Sequence, residues 1–306
     1  MNYRFSGHES FPCRYAWLPK AFQAIEEDPK IFADEEKAIV KLGVGKNMVR
    51  AIRFWVQVAG VAESVKGEYA VTSFGGAIFS QDGFDPFLED IRTLWLIHWN
   101  FSTHVDDPLF AWDFLLNNWQ HPDISRSEVL RAFQKEAERH ERILSPVTLE
   151  QHFDIFLHTY IPTRSPKGEI LEDNLDSPLV ELELIQAVGE RKLESGKREA
   201  IYAFRREEKP EIRAELFHYC LNDFWNKRQP NEKTISFRDI SVSHGSPGQI
   251  FKLPEWSLRE RLELIEQESK GAFVYQESAA MQRITRSGLS QEELLARIYA
   301  SKDINV

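Results

Sequence analysis

Cysteine is nearly absent: two residues in 306, Cys13 and Cys220, far apart and without metal-ligand spacing. That excludes a disulfide framework or a zinc finger and fits a reducing compartment. Long apolar runs are missing too. The densest, residues 93–101, falls far short of the ~20 residues a membrane helix needs and is broken by His98. The first twelve residues hold no apolar run that would serve as a signal peptide, so a cytoplasmic protein with no membrane partner is expected. Positive charge is in deficit, 38 Lys and Arg against 48 Asp and Glu, for a net charge of −10. A chain of that sign does not hold nucleic acid over its whole surface, because phosphate contacts need cations. There is no Gly-x-Ser-x-Gly, His-Glu-x-x-His or Cys-x-x-Cys, so acyl transfer and zinc hydrolysis have no support. Gly43-Val44-Gly45-Lys46 fails as a phosphate loop: Val40 stands where a glycine belongs and Asn47 where the magnesium-binding hydroxyl belongs, so no nucleotide cofactor is expected.

What is present is ample material for packing, 42% hydrophobic residues with 21 Phe and 8 Trp, enough for about two domains. Charge is segregated along the chain. Residues 37–66 carry Lys37, Lys41, Lys46, Arg50, Arg53 and Lys66 against Glu63 alone, whereas residues 81–107 carry six acids against Arg92. Helical spacing is expected over 18–27, and Asp34 reads as the N-cap of a helix ending near Leu42. After Gly43-Val44-Gly45, Met48, Ile52, Trp55, Val56 and Ala59 form one face of a further helix, with Lys46, Asn47, Arg50, Arg53 and Gln57 along the other. Two short strands around Lys66-Gly67 follow, then Tyr69-x-Val71-Thr72-x-x-Gly75 leading into a short helix. This is the element order of a winged helix-turn-helix, and its ending resembles that of bacterial winged-helix regulators. The cations and amides of residues 46–57 suit a major groove, and Lys66 at the wing tip suits a backbone phosphate.

Asp85-Pro86 reads as the start of another helix, and helices are expected over 127–142 and 148–160, the latter capped by Ser145 or Thr148. Residues 190–199, almost all charged, read as a surface loop and boundary. A helix over 212–225, a strand or short helix over 235–240, an amphipathic helix over 255–268 and an alternating segment over 272–286 suggest a second winged-helix-like unit. The expected fold is mainly α with small β-hairpins: a winged helix-turn-helix over 1–82, a helical middle over 83–200 and a C-terminal helical, winged-helix-like unit over 201–306.

For phosphodiester chemistry the candidates are carboxylates near histidine, which hold a divalent metal such as Mg or Mn. Glu89 and Asp90 with His98, His104 with Asp106 and Asp107, and Glu172, Asp173 and Asp176 qualify by type, although none matches a nuclease spacing. His8 with Glu9 is an acid-base candidate. Caps, turns and buried structural pairs are the competing roles. The loop at Ser246-Pro247-Gly248 offers backbone N–H groups, for a plain turn or for a phosphate.

Residues 5–12 (FSGHESFP), 42–50 (LGVGKNMVR), 85–90 (DPFLED) and 246–253 (SPGQIFKL) resemble signature stretches of a bacterial family catalogued as a domain of unknown function and found beside phosphoadenosine-phosphosulfate-reductase-like genes. The family includes SspB, the nicking-associated component of DNA phosphorothioation systems, and the likeness covers nearly the whole chain. It implies a DNA-binding, antiphage-defence role beside other phosphorothioation proteins, nicking duplex DNA or presenting it to sulfur-transfer enzymes. The positions it points to are His8, Glu9, Lys46, Asn47 and Arg50, with Glu89 and Asp90 behind them. A nonenzymatic winged-helix regulator and a protein-binding adaptor are the alternatives, the second favoured by the net negative charge.

Overall fold

The computed structural model describes residues 3–162, 177–278 and 281–300. The chain divides into two compact units, Met1–Arg205 and Arg206–Val306; the sequence-drawn boundary after residue 82 lies inside the first.

The first unit begins with α1 (Trp17–Glu27), α2 (Glu35–Leu42) and α3 (Lys46–Val58). Asp34 caps α2 as expected, accepting from Lys37 N at 3.1 Å, and Gly43 ends it in the left-handed region at φ 68°. On α3 the buried arc is Val49, Ala51, Ile52, Phe54, Trp55, Val56 and Val58, broader than the sequence face; Met48 stays half-buried. Strands β1 (Ala62–Val65) and β2 (Glu68–Val71) pair antiparallel. Lys66 and Gly67 join them at φ 52° and 87°, the two left-handed positions of a type I′ turn whose twist matches the strands. α4 (Ser73–Phe79) follows. The Thr72-x-x-Gly75 motif has a physical cause. Thr72 Oγ1 donates to Gly60 O at 2.5 Å while accepting from Gly75 N at 2.9 Å, stitching the helix start to the chain that enters the hairpin. A Cβ on Gly75 would stand 2.1 Å from Val61 O, so no other residue fits without backbone movement.

Next come α5 (Ile91–Ser102) and α6 (Phe110–Asp113), the latter continuing into a π-helical turn over Phe114–Asn118. The remainder is β3 (Asp123–Ser125), α7 (Arg126–Arg139), α8 (Pro146–Tyr160), β4 (Ile185–Lys192) and β5 (Arg198–Phe204), with β3-β5-β4 as an antiparallel sheet. Ser145 caps α8, accepting from Thr148 N at 3.1 Å. Aromatic packing fills the core: Trp55 lies 4.8 Å from Phe101 and 5.9 Å from Trp112, ring to ring. The buried Tyr160 hydroxyl accepts from Trp112 Nε1 at 2.8 Å and shares a 2.7 Å bond with His98 Nδ1, so these three groups satisfy one another inside the core.

Two expectations need correcting. The helix predicted at Asp85-Pro86 begins at Ile91 instead, because the Asp85 carboxylate accepts from Glu89 N at 2.8 Å and Asp90 N at 3.1 Å, closing a turn with Leu88 at φ 62°. Asp90 is the actual cap, accepting from Arg92 N at 2.8 Å. The charged stretch 190–199 is a loop only over 193–197, where it turns: Glu190, Arg191 and Lys192 pair with Ala200, Glu199 and Arg198 in the far half of the β4/β5 hairpin. Glu199 receives Ser127 N at 2.6 Å and Arg191 at 3.2 Å, so charges that look merely solvated brace the start of α7.

The segment 5–12 threads between α3 and α8. Gly7, at φ 115°, lies where a Cβ would be 2.5 Å from a Phe54 ring carbon. Trp55 donates its indole N–H to Phe11 O at 2.9 Å, and His152 of α8 donates to Phe5 O.

The second unit holds α9 (Ala214–Arg228), β6 (Thr234–Ser236), α10 (Phe237–Val242), the short α11 (Pro247–Ile250), α12 (Glu255–Glu268), β7 (Phe273–Ser278), β8 (Met281–Arg286) and α13 (Gln291–Ala300). Its sheet runs β6-β8-β7. Residues 246–253 build the tight entry to α12: Ser246 accepts from Gln249 N at 3.4 Å, and Lys252 is wholly buried. Both units are thus mainly helical with small antiparallel sheets. Cys13 is buried in the first and Cys220 in the second. Among the described residues no helix is long and apolar enough to cross a membrane.

Candidate nucleic-acid interface

Because the buried arc of α3 faces the core, its polar residues stand outward. Lys46, Asn47 and Arg53 are exposed, and the Lys46 and Arg50 side chains keep 56% and 38% of their surface. Burial therefore does not disqualify the cationic stripe. Its charge, however, is partly met. Glu35 of α2 takes Lys46 Nζ at 2.7 Å and Arg50 Nε at 2.8 Å. The hydrogen bond from Lys46, then that from Arg50, holds the Glu35 carboxyl below its ordinary value against a desolvation effect of opposite sign. Lys37 pairs with Asp28 at 2.6 Å and Lys41 with Glu27. Arg53 and Lys66 have no carboxylate partner among the described residues. The local excess counted from residues 37–66 thus overstates the field, since the neutralising acids lie just before that window.

Gln57 does not face outward as the stripe predicts. Its amide donates to the Tyr69 hydroxyl at 3.0 Å and to Arg53 O at 3.1 Å, fastening α3 to β2. Tyr69 rests edge-on against Phe32, 5.1 Å between centroids. This brace has a sequence signal only in hindsight, since a tyrosine twelve residues away carries no periodicity. Lys66 sits exposed at the tip of the turn.

The candidates for bond scission are scattered in role. His8 is 5% exposed, edge-on to His152 at 4.9 Å and Phe54 at 5.7 Å. Burial first, and the neighbouring His152 second, push it down to about 3, so the imidazole is neutral. Its Nδ1 accepts from Ser10 N at 3.2 Å, not from anything on Glu9, whose side chain is exposed. Glu89 is exposed as well. Asp90 is gripped by Arg92, with contacts of 2.9 Å and 2.6 Å.

The metal-ligand groups do not assemble either. His98 is committed to Tyr160 rather than to Glu89 and Asp90; His104 and Asp107 do approach, with Nδ1 4.0 Å from Oδ1, but His104 Nε2 stands 2.9 Å from Val58 O and Asp107 also pairs with Arg4. Glu172, Asp173 and Asp176 lie outside the described residues. Among the described residues no three His, Cys, Asp or Glu side chains gather into a cation site.

A mainly helical chain with this hairpin and these two sheets belongs to the family described as Protein of unknown function (DUF4007), whose model matches residues 5–299. Among solved structures it is similar to a magnesium ion-bound SspB crystal structure, with 22% identity, a TM-score of 0.82 and coverage of 96% of this chain and 87% of that one. A second SspB crystal structure gives 23% identity, a TM-score of 0.80 and coverage of 96% and 86%. At these identities the likeness is one of fold. No curated protein matches the chain.

Proposed function

We propose that the chain binds duplex DNA through α3 and the β1/β2 hairpin as a winged helix, and serves a DNA phosphorothioation system by nicking the duplex or presenting it to sulfur-transfer enzymes. The observation that carries this is the outward side of α3: three cations and no acid over Lys46–Val58, followed by Lys66 on a two-residue turn. A helix fits the major groove, where Asn47 and Arg53 reach base edges and phosphates, while a wing-tip lysine meets the backbone and adds affinity without sequence preference. The fold likeness to SspB and membership of its family support the system assignment.

For scission, Glu89 and Glu9 carry the exposed carboxylates, Asp90 is held by Arg92 and His8 is sealed among aromatics. Since a relative is described as magnesium-bound, divalent ions belong in the assay.

Binding is tested by anisotropy of a labelled duplex at low salt. Arg53→Ala with Lys66→Ala, and Lys46→Ala with Arg50→Ala, are expected to weaken binding similarly for unrelated sequences and to flatten its salt dependence. Parental affinity in both double variants overturns the α3 assignment. Relaxation of supercoiled plasmid with Mg or Mn, against a chelated control and the Glu89→Gln and Glu9→Gln variants, separates nicking from presentation.

A further inference from the structure

The second unit runs helix, strand, helices, hairpin: α9, β6, α10, α11, α12, β7, β8, with the first strand adjoining the last, as β3 adjoins β5 in the first unit. α12 precedes its hairpin as α3 precedes β1 and β2, yet its chemistry is opposite to that of α3. Over Glu255–Glu268 there are five acids, Glu255, Glu260, Glu263, Glu266 and Glu268, against Arg259 and Arg261. Neither arginine offers charge outward. Arg259 pairs with Glu255 at 3.3 Å and Glu277 at 2.8 Å, and Arg261 turns inward to donate to Lys209 O at 3.0 Å and to Ile212 O.

Ser257, Leu258, Leu262 and Ile265 bury the inner side of α12. Spacings of four, three, one and three place Trp256, Glu260, Glu263, Leu264 and Gln267 on the opposite side. All five are exposed, and Trp256 and Leu264 keep 52% and 51% of their surface. A half-bare tryptophan and leucine flanked by carboxylates is the composition of a protein-binding helix, tryptophan being prominent among residues that anchor interfaces.

Charge decides the occupant. Duplex phosphate is repelled by uncompensated glutamates, and a second copy brings another net −10. What complements the face is a cationic, amphipathic segment of a partner protein, whose apolar residues cover Trp256 and Leu264 while its Lys or Arg side chains meet Glu260 and Glu263. We infer that the outer face of α12 is a docking surface for such a segment. The inference does not depend on the role assigned to α3.

The test uses the full chain and a fluorescein-labelled amphipathic helical peptide of leucine and lysine, followed by anisotropy. Trp256→Ala with Leu264→Ser, and separately Glu260→Lys with Glu263→Lys, are expected to weaken peptide binding roughly tenfold or more. Glu150→Lys with Glu194→Lys, which alters net charge equally at exposed sites of the first unit, is expected to leave it within about twofold. Circular dichroism checks that each variant folds. Equal loss in the control pair would mean generic attraction and overturn the proposal, as would parental affinity in the α12 variants. Two further outcomes overturn it: a loss of duplex binding on Trp256→Ala, which makes the face a nucleic-acid surface, or a dimer by sedimentation that this change dissolves, which makes the occupant a second copy.

Discussion

Glu35 is the residue on which the electrostatics of the proposed DNA face turns. Bound to both Lys46 and Arg50, it offsets part of the charge those side chains offer a phosphate. Glu35→Gln is therefore expected to raise duplex affinity several-fold at low salt and to steepen its salt dependence by about one phosphate contact; unchanged binding would show that neither cation meets DNA. Histidines set a second expectation. Burial takes His8 down to about 3 and His218 to about 4, the latter helped by Arg297, from an ordinary 6.5. Each folded value lies below the unfolded one, so the unfolded chain takes up protons first on acidification. The stability tied to these neutral rings is complete above about pH 6.5 and drains as pH falls from there toward 4 and 3. Melting temperatures should fall from pH 7 to pH 5, and His218→Phe, which keeps an aromatic ring against Phe273, should flatten that fall. At this scale the sequence showed which residues are cationic but not which are answered. Glu35 lies eleven residues before Lys46, and only the packing of α2 on α3 brings them together.

At the scale of elements, caps and turns were the legible part. Asp34, Ser145 and the Lys66-Gly67 turn sit where local chemistry puts them, because each depends on neighbours within three residues. The close approach at Gly75 is of the same kind, with a measurable consequence. Gly75→Ala drives a methyl against Val61 O and is expected to cost on the order of 1–3 kcal/mol, read as a lower denaturation midpoint. Legibility failed for residues 190–192 and 198–199, the strand parts of that charged stretch. Every residue of β4 after Ile185 is exposed, so no apolar alternation marks the strand, and the ion pairs that hold it to β5 and α7 look like surface charge. Residues 85–90 misled for another reason: Asp85 does cap backbone N–H groups, but those of a turn, and the helix waits for Asp90.

For the whole molecule, the three helices that precede a hairpin in this chain differ in charge. α3 has three cations and no acid, α8 has Glu150 and Asp154 and no Lys or Arg, and α12 has five acids to two cations. Net charge averages these away, which is why −10 neither excluded nor supported a DNA face. If duplex binding is confined to α3 and the hairpin, Lys46, Arg50, Arg53 and Lys66 are the available contacts. The logarithm of affinity should then fall with the logarithm of salt at a slope no steeper than roughly −4. A much steeper slope would require a second cationic surface.

The placement of the two thiols gives this molecule an internal clock for each half. Cys13 and Cys220 are both sealed from solvent, one per compact unit, and burial raises the proton affinity of each, so neither reacts until its own surroundings open. In a mass-resolved thiol-labelling time course, followed by digestion to locate the label, the rate at Cys13 would read the opening of the first unit and the rate at Cys220 that of the second. Unequal rates would mean that one half breathes while the other stays shut.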